Sequence, residues 1–246
     1  MRIGFLGTGR IATNVAKALK DDGHDIIFAV SRSSKFADDL GSVPHFTLLP
    51  DRDVMASVDL VVEAASPGAV EAFGVDILKA SDLCVLSTTA LRNAELEQRL
   101  TAAQASLGHK MTLLSGGIVA IDALRAVGRD LVSIEIETTK PPRMWGIEDH
   151  SEIKVLFVGS TRDASTLFER NVNVHATLAY YSLGFDRCQS RLVSDPNTGS
   201  LTQRLKVRGE DFGWDLELFS TPIGGVSGSL TPRMTIQTVR EILAQK

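Results

Sequence analysis

The first residues able to do chemistry are Gly7-Thr8-Gly9-Arg10-Ile11-Ala12, a G-x-G-x-x-A run. It lies between a compact apolar stretch, residues 2–6, and residues 11–20, where Ile11, Val15, Ala16 and Leu19 recur at helical spacing. In that setting the first glycine permits a tight turn, the second lets backbone approach a pyrophosphate, and the small third residue lets helix and strand pack closely. A bound anion then faces the unpaired N–H groups of the helix start. Gly7, Thr8, Gly9, Arg10 and Ile11 are therefore expected to hold a dinucleotide; the alternative is a purely structural turn.

The tip of the next strand, residues 25–30, selects the nucleotide. NAD is usually met there by an acidic residue on the adenosine ribose. This chain has Ser31-Arg32-Ser33-Ser34-Lys35 and no carboxylate until Asp38. An arginine with hydroxyls suits a 2′-phosphate, so Ser31, Arg32 and Ser33 point to NADP rather than NAD. The alternative is a solvated basic loop.

Lys140 follows a strand and precedes Pro141-Pro142, which stiffen its exit. It could hold a substrate carboxylate as a point charge or be a surface lysine. His150 lies in a loop, residues 145–150, from which it could enter a site as part of a lid. His24, His45 and His109 fall in loops and read as surface residues. No His or Cys pair has metal-ligand spacing, so no metal site is expected. Cys84 and Cys188 sit among apolar or aromatic neighbours and read as buried thiols.

The elements that must position these groups change character along the chain. Up to about residue 110, continuous apolar strands (25–30, 59–65, 82–87) alternate with helical stretches (34–40, 70–79, 95–107), the mark of a parallel sheet between helix layers. Residues 111–114 read as a further short strand. Beyond them, residues 131–139 alternate, with Val132, Ile134 and Ile136 on one face, as in a half-exposed strand. Residues 204–207 and 214–219 flank GEDFG as a hairpin, residues 172–183 read as a helix, and residues 234–244 as a terminal helix. The expected fold is α/β: a Rossmann-type parallel sheet (1–110) plus an α+β second domain (111–230), with residues 231–246 packing back on the first.

Composition narrows the function classes. The 246 residues carry 26 Lys and Arg against 30 Asp and Glu, a net charge of −4, which argues against general nucleic-acid binding. No apolar run approaches the roughly 20 residues of a membrane span. The opening MRIGFLG reads as a strand rather than a signal peptide, so a cytoplasmic protein is expected.

Taken together, these stretches resemble the L-aspartate dehydrogenase family over nearly the whole chain. The resemblance is carried by Gly7–Ala12; Val62-Glu63-Ala64-Ala65-Ser66-Pro67; Ser115-Gly116-Gly117-Ile118 with Ile121-Asp122-Ala123-Leu124; and Thr139-Lys140-Pro141-Pro142. It continues through Leu156-Phe157-x-Gly159-Ser160, Asn171-Val172-Asn173-Val174, Leu183-Gly184-Phe185-Asp186-Arg187 and Ser194-Asp195-Pro196. It implies reversible oxidative deamination of aspartate with NAD(P), through iminosuccinate, on a dicarboxylic amino acid or related imine. It places Ala65, Ser66, Gly117 and Asn173 among the cofactor contacts. The family's catalytic histidine falls at Gln203, whose amide hydrogen-bonds but takes up no proton near neutral pH. His175, two residues after Asn173, is the expected substitute base, against the alternative of a histidine packed on the sheet. Beside the dehydrogenase reading stand two others: a reductase of a different small imine or oxo acid, and a catalytically silent NADP-binding regulatory or scaffold protein. The half-exposed second sheet needs a cover, and a homodimer is expected.

Overall fold

The computed structural model describes residues 1–32, 41, 43–128 and 130–246; Ser33 and the helix expected over 34–40 lie outside the described residues. The chain forms two compact units, Met1–Leu114 with Pro232–Lys246, and Ser115–Thr231.

In the first unit, β1 (Arg2–Leu6), β2 (Asp25–Val30), β3 (His45–Phe46), β4 (Leu60–Glu63), β5 (Asp82–Val85) and β6 (Met111–Leu113) form an all-parallel sheet. Their order is β3-β2-β1-β4-β5-β6, so the chain reverses direction across the sheet between β1 and β4. That switch point opens a crevice at the carboxyl ends of the strands, where doubly wound sheets bind ligands. The sequence division at residue 110 falls one strand early, because β6 pairs with β5.

Among the described residues, four helices and a 3-10 turn (Thr88–Arg92) flank these strands: α1 (Arg10–Asp21), α2 (Arg52–Ala56), α3 (Pro67–Leu78) and α4 (Ala94–Leu107). Their ends follow from local chemistry. Ser66 caps α3, with Pro67 at its first position where the missing N–H costs nothing. Asn93 caps α4 by accepting from two backbone N–H groups, and Gly108 ends it at φ +76°. Ala12, Val15, Ala16 and Leu19 of α1 meet Ile3 and Phe5 of β1 in one core cluster. Val239 and Leu243, late in the chain, belong to the same cluster.

The second unit holds β7 (Leu131–Lys140), β8 (Lys154–Ser160), β9 (Gln189–Ser194), β10 (Leu201–Gly209) and β11 (Gly213–Ser220). Their order is β11-β10-β7-β9-β8, antiparallel except for β7 with β9. The hairpin expected around GEDFG is β10–β11. The remaining helices among the described residues are α5 (Ile121–Val127), α6 (Pro142–Trp145), α7 (Thr161–Leu167), α8 (Asn173–Tyr180) and the terminal α9 (Leu230–Ala244). Ile134, Ile136, Leu205, Val207 and Leu192 bury one face of the sheet. Glu135, Arg191, Arg204 and Lys206 lie on the other.

Val132 departs from the expected alternation. It is exposed, while Leu131 is buried in its place. The pairing passes from Arg208 opposite Ser133 to Gly209 opposite Leu131, leaving Val132 unpaired in a bulge. One extra residue flips the parity of what precedes it.

Candidate functional site

In the first unit the glycine turn leaves β1 at the switch point. The Gly7 N–H donates to the Val30 carbonyl at 2.8 Å, and Gly7 adopts φ +105°. A Cβ there would stand 2.6 Å from the Ala64 carbonyl oxygen, so only glycine fits on both counts. Gly9 is the N-cap of α1, and a Cβ on it would meet nothing within 4 Å. The open space over a helix start, with exposed Arg10 at its first position, fits a dinucleotide pyrophosphate. Ile11 is half-buried against the core below.

At the tip of β2 the Thr8 hydroxyl donates to Ser31 Oγ at 2.8 Å, and Ser31 Oγ lies 3.0 Å from His45 Nε2. Arg32 beside them is exposed. His45 is not the surface loop residue expected: it is half-buried in β3 and bound to Ser31. A strand of two residues carries no period, so the sequence gives no sign of it. Ala65 is exposed after β4, and Ser66 Oγ accepts from the Ala69 N–H at 3.3 Å to start α3.

In the second unit Gly117 and Gln203 are near neighbours. A Cβ at Gly117 would stand 3.5 Å from Thr231 Oγ1 and 4.0 Å from Gln203 Oε1. Glycine thus leaves a narrow space between a hydroxyl and an amide. Gln203 is 6% exposed, on the buried face of β10. Asn173 opens α8 and is half-buried; its carbonyl accepts from the Thr177 hydroxyl at 3.0 Å.

His175 does not stand free as a base. It is 0% exposed, with Nε2 2.7 Å from Thr138 Oγ1 and Nδ1 2.9 Å from Ser190 Oγ. Ser190 in turn lies 2.8 Å from Thr161 Oγ1, which completes a buried row of hydroxyls on either side of the ring. Burial first, and the positive Lys140 second, lower its pKa to about 3. The imidazole is therefore neutral at every physiological pH. The expected base is corrected to the packed alternative: a core histidine joining β7, β9 and α8.

Lys140 is neither on the surface nor open to a substrate carboxylate. It is 1% exposed, and Nζ donates to Asn171 Oδ1 at 3.1 Å, the Asn171 carbonyl at 3.3 Å and the Val226 carbonyl at 3.3 Å. The Trp145 ring centroid lies 4.5 Å away, a cation–π contact. Three acceptors match the three ammonium hydrogens. Burial lowers its pKa to about 7. His150 Nε2 sits 2.8 Å from Ser194 Oγ, and its buried Nδ1 has no partner. Among the described residues no cluster of three or more His, Cys, Asp or Glu could hold a metal ion. Cys84 and Cys188 are buried free thiols, Cys84 pushed up to about 12 by burial.

Comparison with known proteins bears on both units. Residues 7–114 match the NAD-binding domain of homoserine dehydrogenase, and residues 122–242 match the aspartate dehydrogenase C-terminal domain. L-aspartate dehydrogenase of Serratia proteamaculans is 31% identical over 98% of this chain and 97% of its own. That of Methanothermobacter thermautotrophicus is 34% identical over 96% and 91%. The crystal structure of aspartate dehydrogenase from Thermotoga maritima superposes with a TM-score of 0.81 at 25% identity, covering 100% of this chain and 96% of that one. A Thermus thermophilus dehydrogenase solved with NAD and alpha-ketoglutarate shares the fold alone, at 14% identity and a TM-score of 0.56.

Proposed function

Since this chain belongs to the L-aspartate dehydrogenase family, we propose that it is an NADP-preferring member that reduces a small dicarboxylic imine more readily than it deaminates aspartate. The family makes it an NAD(P)-dependent oxidoreductase of the amino-acid dehydrogenase class. The finer reading is supported by one observation: Gln203, which the family resemblance sets at the histidine position, borders the space beside Gly117 and Thr231.

Hydride transfer and proton transfer make separate demands on the site. The nicotinamide, when bound, supplies or accepts the hydride, which needs positioning more than a base. Deamination also needs water activated against the imine, and a general base there contributes about 10²–10⁴-fold. Gln203 can hold a substrate polar group but cannot take that proton. His175 is buried and neutral. A reaction that starts from the imine avoids the step that this chain is poorly equipped to perform.

Gly7, Thr8, Gly9, Arg10, Ile11, Ala65 and Ser66 would hold the dinucleotide in the first unit, and Ser31 with Arg32 its 2′-phosphate. In the second unit, Gly117 and Asn173 are the positions that the family resemblance gives as cofactor contacts. The outer face of the second sheet supports a homodimer: Phe219 is 80% exposed and Val158 63%. Free thiols and a nicotinamide cofactor support a cytoplasmic enzyme, which a tagged copy found outside that compartment would contradict.

The test is NADPH consumption with oxaloacetate plus ammonia, against a panel of preformed imines and 2-oxo acids, and NADP reduction with aspartate. Reduction of an imine well ahead of aspartate oxidation is expected. Gln203→His should narrow that gap by raising aspartate oxidation. Aspartate oxidation in the wild type as fast as imine reduction overturns the reading. Tight NADPH binding without turnover on any substrate favours a silent nucleotide-binding protein.

A further inference from the structure

Glu63 ends β4 as a carboxyl group with 0% exposure in an otherwise apolar strand. Its neighbours in the sheet are Leu6 of β1 and Val85 of β5, so it sits at the carboxyl edge beside the switch point. Four donors converge on it. Oε1 accepts from the Ala65 N–H at 2.7 Å and the Ser87 hydroxyl at 2.7 Å. Oε2 accepts from the Leu86 N–H at 3.0 Å and the Ser87 N–H at 2.9 Å. One side chain thereby fastens the turn that leaves β4 to the turn that leaves β5.

Only a carboxyl group can do this. Ionised, its two oxygens offer about four lone-pair sites, all of them used. Protonated, it can give its hydrogen to the Ser87 oxygen and keep the three backbone bonds. A glutamine cannot: its NH₂ would face at least one backbone N–H, which then loses its acceptor. The fastening extends to the dinucleotide turn. The backbone that Glu63 holds through Ala65 is the one on which Gly7 packs, with the Ala64 carbonyl 2.6 Å and Ala65 Cα 2.9 Å from where a Gly7 Cβ would be.

We propose that Glu63 is a positioning residue for the nicotinamide half of the cofactor, locking the Ala64–Ser66 and Leu86–Ser87 turns into one platform. In this strand order β1, β2 and β3 form the half that takes the adenosine, and β4, β5 and β6 form the half that takes the other nucleotide. Glu63 ties together the two turns of that second half. The inference rests on dinucleotide binding by this unit, and it concerns which half of the ligand a single buried residue serves.

Calorimetric titration tests it without turnover. Each protein is titrated with NADPH and with adenosine 2′,5′-bisphosphate, and with NADH and ADP as the matching NAD pair. Glu63→Gln should weaken whole-dinucleotide binding on the order of tenfold, as expected when one buried donor is left unpaired, while the adenosine fragments bind as they do to the wild type. Equal losses for dinucleotide and fragment would make Glu63 a general structural support and overturn the proposal. Unchanged dinucleotide binding overturns it too. Wild-type protein that binds neither dinucleotide overturns both this inference and the cofactor reading, so the two failures are told apart by the wild-type titration. Should Glu63→Gln not fold, Ser87→Ala, which removes only the hydroxyl bond, carries the same comparison with a smaller loss.

Discussion

Replacing Lys140 with methionine should change how stability varies with pH more tellingly than how large it is. The amine is 1% exposed, has carbonyl oxygens and an indole face for company, and its pKa falls from 10.5 to about 7 through burial. Below pH 7 both folded and unfolded chains hold the proton, and the full cost of burying the charge is present. Between pH 7 and 10.5 the folded protein sheds a proton that the unfolded chain keeps, so stability rises with pH. At 1.36 kcal/mol per pKa unit, the rise totals about 5 kcal/mol. The methionine variant lacks it. Its absolute stability reflects lost bonds to Asn171 and Val226 as well, but those do not titrate. The measurement is urea unfolding from pH 7 to 10.5, read by tryptophan fluorescence. Both tryptophans, Trp145 and Trp214, lie in the second unit, so the signal reports on the unit that holds Lys140. The difference between wild type and variant cancels other titrating groups, including the raised Cys188 thiol. A flat difference curve over that window would refute the reasoning and show the amine charged throughout.

Three further outcomes follow from the same geometry. His175, depressed from 6.5 to about 3, contributes stability that is present above pH 6.5 and lost as pH falls towards 3; His175→Asn should flatten the acid limb of the unfolding curve, and an unchanged limb would contradict its burial as a neutral ring. Arg32→Ala should weaken NADPH binding about tenfold or more, the worth of a charged hydrogen bond, and leave NADH nearly unaffected by fluorescence titration; tighter NADH binding by the wild type would sink the NADP preference. Phe219→Asp on the exposed sheet face should shift sedimentation velocity from a dimer towards a 26.5 kDa species, and a monomeric wild type would remove the basis for a homodimer.

The sequence displayed the first unit well because its signals are local. The glycine turn, the continuous strands and Ser66-Pro67 each act within a few residues. Polar burial depends on partners far along the chain. Lys140 finds its acceptors 31 and 86 residues away, and His175 is enclosed by Thr138 and Ser190, so neither fate is written in the neighbouring sequence. Part of it was nonetheless available. Ile134, Ile136, Thr138 and Lys140 share one face by period two, and the first two are apolar, which marks Lys140 as inward-facing. Glu63 offered a similar sign, as the single acid closing an apolar strand. The Val132 bulge offered none, because an inserted residue shows only against its partner strand.

The C-terminal helix also sets the order in which the protein can be made. Its Val239 and Leu243 complete the cluster around Ile3, Phe5 and Leu19, Arg240 grips Asp22 at 2.6 and 2.9 Å, and Lys246 reaches the Asp59 carbonyl at 2.7 Å. The N-terminal core therefore waits, unfinished, until residues 239–246 have left the ribosome. The second unit is continuous in sequence and can form earlier, reversing the usual N-to-C order of domain folding. Once formed, it shortens the effective tether between the two ends, and the closure entropy of a long loop grows only slowly with length in any case. Damage to the last turns of the chain would be felt first at its beginning, as an apolar groove where a core should be.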